Sequence, residues 1–177
     1  MHLRRRPLAG LGAACALALA LTGCSGGDPE PKMAPTQSVA STPSGEPSDE
    51  LSLDAVETVR AWVEARNRAL ADGDTTEVEA LTLRHCKSCY GLIDPIREAY
   101  EAGGYFRTDG WRVVRATEDA ISENRSRVNA AVSIAGGETL TAAGEEPVTY
   151  GPDKRIVVFK LSRSGGAWFV SFTGFLS

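Results

Sequence analysis

Across residues 53–70 the apolar positions Val56, Val59, Val63 and Leu70, with Trp62 beside them, recur every three to four residues, while Glu64 and Arg68 form an i,i+4 pair on the opposite face. This spacing predicts an amphipathic helix. Asp54 with Glu57 three residues later suits its start, and the glycine in Ala71-Asp72-Gly73-Asp74 suits its end. Thr75 or Thr76 can then cap a short second helix reaching Leu83, with Val78 and Leu81 turned inward. A third helical pattern places Leu92, Ile96, Ala99 and Tyr100 on one face and stops before Gly103-Gly104. Its regular part is expected to begin at Pro95, because proline suits the first turn of a helix.

Beyond Tyr105 the period shortens to two. Residues 111–121 and 127–135 alternate or are β-branched, with Glu123-Asn124-Arg125-Ser126 as a polar turn between them. Residues 155–163 and 167–176 form the clearest strand pair, joined through Ser164-Gly165-Gly166, a two-glycine hairpin signal. Between 136 and 153 one short strand is expected, at 138–141 or at 147–150. Helices followed by an antiparallel meander define an α+β fold: three N-terminal helices packed on one face of a curved sheet. Residues 51–177 are read as one such domain.

The last two strands carry apolar residues at both parities. Ile156, Val158, Trp168 and Phe172 form one set, and Val157, Phe159, Phe169 and Phe175 the other. A sheet covered by helices on one side does not need both, so either it curls round a pocket or its outer face meets a partner, a second copy of the chain included.

The N-terminal pattern is of another kind. Arg4-Arg5-Arg6 precede residues 8–21, which are only Leu, Ala, Gly and Cys. A basic segment followed by so short an apolar run reads as an export signal, since a membrane-spanning helix needs roughly 20 apolar residues. Leu21-Thr22-Gly23-Cys24 closes the run and resembles the bacterial lipobox, which implies cleavage after residue 23, lipidation of Cys24 and anchoring on the extracytoplasmic face of the cell membrane. Residues 24–50 then form a tether. Ser25 to Glu50 hold five prolines and five serines and almost no large apolar side chain, too little to offset the entropy of ordering.

Charge narrows the partners. The whole chain carries a net charge of −4 at pH 7, and loss of residues 1–23 leaves 16 basic and 23 acidic residues. The remaining basic residues form no stripe, which argues against nucleic acid as a partner.

A first helix ending in Ala71-Asp72-Gly73-Asp74, a short second helix, and strands closing on Gly165-Gly166-Ala167-Trp168-Phe169-Val170 resemble the ketosteroid-isomerase-like superfamily, also named for nuclear transport factor two. More narrowly, the lipobox, the tether, Trp62, Gly73-Asp74-Thr75, Cys86-x-x-Cys89 and Gly103-Gly104 before Trp111 resemble a family of actinobacterial lipoproteins of unknown function. The resemblance implies a cone-like, cystatin-like fold with a pocket between sheet and helices. It implies no activity, because folds of this kind host enzymes and non-enzymes alike.

Few residues carry candidate chemistry. For Cys86 and Cys89 in an oxidising compartment the default is a disulfide. The same spacing serves thiol exchange when the first cysteine has a low pKa, although no βαβ pattern surrounds this one. With His85 the two thiols would make three zinc ligands, but adjacent His85 and Cys86 are awkwardly placed, and Tyr90 stands where haem attachment needs histidine. Asp119, Tyr100 and Tyr150 have the chemistry of an isomerase site, a carboxylate base facing a phenol, with nothing in the sequence to fix their spacing. Trp62, Tyr100, Trp111, Trp168 and Phe172 are the candidates for lining a pocket. The expectation is an anchored, non-catalytic binding module without metal or cofactor, whose partner is an envelope protein or a small apolar ligand. The alternative is a small-molecule isomerase or dehydratase.

Overall fold

The computed structural model describes residues 52–176. The export signal at 1–23, the lipidation site Cys24 and the tether at 24–50 lie outside the described residues. Helix α1, Ala55–Asp72, begins at Asp54, whose carboxylate accepts from the Glu57 N–H at 2.7 Å while Glu57 accepts from the Asp54 N–H at 3.0 Å. Two otherwise orphaned donors are thereby satisfied reciprocally. The helix stops at Gly73 in the left-handed conformation. Val59, Trp62, Val63, Ala69 and Leu70 form its buried face.

Helix α2, Thr76–Ala80, is shorter than expected and has no side-chain cap. The Thr75 hydroxyl donates to Glu79 instead, and the chain from Leu81 to Leu83 leaves the helix to pair with Val170. Helix α3, Lys87–Glu101, starts eight residues before Pro95. The proline withholds a hydrogen bond from the Gly91 carbonyl, but Gly91 is exposed, so water can serve that group. The helix start is set by Cys86, which caps it and is bonded to Cys89, and by the Ser88 Oγ, which accepts from the Thr173 N–H at 3.0 Å. Cys89, Ile93, Ile96 and Ala99 face inward.

Seven strands follow: β1 (Tyr105–Thr108), β2 (Trp111–Ser122), β3 (Arg125–Ile134), β4 (Gly137–Leu140), β5 (Val148–Tyr150), β6 (Asp153–Ser164) and β7 (Ala167–Leu176). They form two antiparallel sheets, ordered β2-β3-β6-β7 and β1-β4-β5. The segment 136–153 therefore holds two strands where one was expected, and β1 joins them in a second sheet. The β6–β7 hairpin turns through Gly165 and Gly166, whose φ values of 59° and 87° suit a two-residue hairpin. The domain is α+β, with the helices on one face of the larger sheet. Among the described residues no helix is long and apolar enough to cross a membrane.

One parity expectation fails. Between Lys160 and Leu161 the β6–β7 register shifts, leaving Ser171 as an extra residue in β7. A one-residue bulge exchanges the two faces of a strand. Trp168 therefore shares the core side with Val170, whereas Phe172 stays outside with Ile156. The exposed outer face also carries Val114 and Leu176, at 59% and 54% exposure.

Candidate ligand-binding site

The middle of the fold is filled. Trp62 and Phe159 are wholly buried and meet edge to face, their ring centroids 5.7 Å apart. The Trp62 indole N–H donates to the Thr82 hydroxyl at 2.8 Å, and that hydroxyl donates to the Val78 carbonyl at 2.6 Å. Trp62 is thus a satisfied core residue.

Space remains at the end where the two sheets part. A cavity of about 250 Å³ lies between α1, strands β1, β2, β4 and β5 and the end of β3. Its walls are apolar at Leu70, Phe106, Trp111 and Ile134, with Thr108, Thr139 and Tyr150 adding hydroxyls. Arg66 of α1 completes the lining, and its guanidinium carbon stands 4.5 Å from the centroid of the Trp111 ring. The Arg66 Nε and Nη1 are closed off from solvent without a hydrogen-bond partner, and no carboxylate among the described residues pairs with the group. Burial lowers its pKa to about 10, partly opposed by the nearby Tyr150 phenol, so the side chain remains a cation at neutral pH.

Trp111 is held firmly in place. The Asn67 side chain accepts from the Trp111 N–H at 2.9 Å and donates to its carbonyl at 2.7 Å. Gly110 has φ 70°, and a Cβ there would collide with Asn67 Oδ1, so the residue before Trp111 must be glycine for this clamp to form. Phe175 of β7 packs edge to face on Trp111, with centroids 5.7 Å apart.

Of the five aromatics expected around a pocket, Trp111 lines this cavity and the others lie elsewhere. Tyr100 is half-buried and donates to the Leu70 carbonyl at 2.9 Å. Trp168 packs against the core beneath Arg163, and Phe172 lines a separate cleft with His85 on the other side of the sheet. The isomerase trio is likewise dispersed: Tyr150 lines the cavity, Tyr100 does not, and Asp119 is exposed, accepting from the Asn129 amide at 3.0 Å. Cys86 and Cys89 are joined in a buried disulfide and offer no thiolate to a metal beside His85. Arg66 was missed, yet its signal is visible. Counting from Val59 through Trp62 and Val63 to Leu70, position 66 falls on the apolar stripe of the first helix, where an arginine needs a reason.

No family model matches the chain, and no curated protein matches it in sequence. Solved structures do resemble it. The intermembrane space region of chloroplast protein ARC6 is 14% identical with a TM-score of 0.52, over 68% of this chain and 92% of that one. A ketosteroid isomerase-like protein from Erwinia carotovora atroseptica is 18% identical with a TM-score of 0.43, over 68% and 92%. A cystatin-like protein of unknown function from Nostoc punctiforme is 9% identical with a TM-score of 0.41, over 71% and 93%. Similar solved structures thus include ketosteroid isomerase-like, cystatin-like and nuclear-transport-factor-two-like proteins. At these identities the similarity speaks of the fold and not of an activity.

Proposed function

We propose that this chain is a lipid-anchored module on the extracytoplasmic face of the cell membrane, of the actinobacterial lipoprotein kind, and that it binds a small ligand in the cavity beside Arg66 without transforming it. The observation that supports binding is the lining itself, which combines one cation, three hydroxyls and flat apolar walls. A reaction of the isomerase type needs a base on the substrate carbon, and neither carboxylate nor imidazole is among those lining residues. Small-ligand sites commonly have this composition: apolar walls with a few placed polar groups.

Anchoring is supported by the sequence Leu21-Thr22-Gly23-Cys24 after a basic and apolar leader. In cells labelled with a fatty-acid analogue, the wild-type protein should carry label and sediment with membranes. Cys24→Ala should lose the label and either stay uncleaved or enter the medium. Unchanged labelling and processing in that variant would defeat the anchor. A second reading, self-association through the outer sheet face, is favoured by exposed Ile156 and Leu176 lying opposite each other across β6 and β7. Sedimentation equilibrium of the full chain reads it directly.

A further inference from the structure

We infer that the cavity selects a small monocarboxylate with a flat apolar body, its carboxylate on the Arg66 guanidinium and its body against Trp111, Phe106 and Ile134. This deepens the binding reading above and rests on it. The argument begins with an imbalance. A cation removed from water is ordinarily compensated by a counter-ion or by hydrogen bonds, because its desolvation is costly. Arg66 is half-buried and has no ion-pair partner among the described residues; its Nε and Nη1 are enclosed without any acceptor, while its Nη2 is not among the enclosed atoms. The Trp111 ring, 4.5 Å from the guanidinium carbon, offers the cation a π-face but no hydrogen-bond acceptor.

Three features narrow the missing partner. A guanidinium presents its donors in a planar fork that matches a carboxylate, and the pairing is charge-assisted. Arg66 is the one charged residue in the lining, so a monoanion balances it whereas a phosphate dianion leaves charge uncompensated in an apolar site. The volume of about 250 Å³ lies below the range usual for drug-sized ligands, and the flat walls of Phe106 and Trp111 suit an aryl or short branched acid. The Thr108 hydroxyl is already engaged, donating to the Gly136 carbonyl and accepting from the Gly110 N–H. The Thr139 and Tyr150 hydroxyls remain as neutral donors, and Arg66 alone adds the charge that distinguishes a carboxylate from its amide.

The test uses the full-length protein with benzoate, benzamide and inorganic phosphate as probes, titrated by calorimetry at neutral pH. Benzoate should bind about ten- to a hundredfold more tightly than benzamide, as a charge-assisted pair predicts, and phosphate should bind more weakly than benzoate. Arg66→Met should remove the preference for benzoate over benzamide, while Arg66→Lys, which keeps the charge without the fork, should retain a reduced preference. Melting temperatures of both variants show that they are folded. Equal binding of benzoate and benzamide would overturn the carboxylate inference and leave ligand binding standing. No binding of either at millimolar concentration would overturn the cavity reading as well. Phosphate matching benzoate would mark a bare anion hole, and an undiminished preference in Arg66→Met would place the anion elsewhere.

Discussion

Two successive turns of α1 face opposite kinds of interior. Around Trp62 every wall is filled and the indole N–H, the Thr82 hydroxyl and the Val78 carbonyl form an unbroken chain of hydrogen bonds. One helical turn further on, Arg66 enters a space that is neither filled nor electrically balanced. One helix thus contributes a stabilising residue and a destabilising one to the same side of the fold. Natural folds keep uncompensated groups of this kind mainly where function requires them, which makes the contrast itself an argument for a site.

Substitutions at the filled end should destabilise. Trp62→Ala removes a wholly buried indole and leaves the Thr82 hydroxyl without its donor, so the expected cost is about 3–5 kcal/mol in urea or thermal unfolding. A loss below about 1 kcal/mol would show that the filled end does not hold the fold together. The next effect is smaller. Replacing Cys86 and Cys89 together by serine opens a very short loop, which costs about 2 kcal/mol in the chain-entropy model and should loosen the start of α3, where Ser88 bonds the Thr173 N–H. Amide exchange in residues 86–90 reads that loosening, and unchanged protection there would make the disulfide incidental to the helix.

Much of the closed region was legible in the sequence because its signals are local. The Asp54–Glu57 reciprocal cap, the Gly73 stop and the Gly165-Gly166 turn each need only neighbouring residues, and the paired cysteines lie only three residues apart. The open region was harder to read. Strands β1, β4 and β5 have four, four and three residues, too few to show a sustained alternation. They exist because they pair with one another over long sequence separations. The bulge at Ser171 was likewise invisible locally, and it moved Trp168 to the core side while leaving Phe172 outside. Pro95 misled for the opposite reason. A strong local signal was overridden because the denied carbonyl is exposed and the helix is already fixed upstream by Cys86 and Ser88. The cavity lies where the hidden strands meet α1, which is why only Trp111 of the five aromatics expected around a pocket reaches it, joined by Tyr150, and why Arg66 could be noticed only as a charge on an apolar stripe.

The most direct measurement of this contrast is the stability of ligand-free Arg66→Met beside wild type, by denaturant unfolding at several pH values. Burial lowers the Arg66 pKa from the ordinary guanidinium range to about 10, which corresponds to a penalty of roughly 3 kcal/mol at neutral pH, part of which the lost Trp111 contact offsets. The sign follows from proton linkage: the unfolded chain holds the Arg66 proton more tightly than the folded one, so the penalty is full below about pH 10 and fades as pH rises above it. The account predicts that the variant is more stable than wild type at pH 7 by about 1–3 kcal/mol, with the difference narrowing above about pH 10. A variant less stable than wild type at pH 7 would mean that Arg66 already has its compensation within the fold, and the cavity would lose its claim to be a binding site.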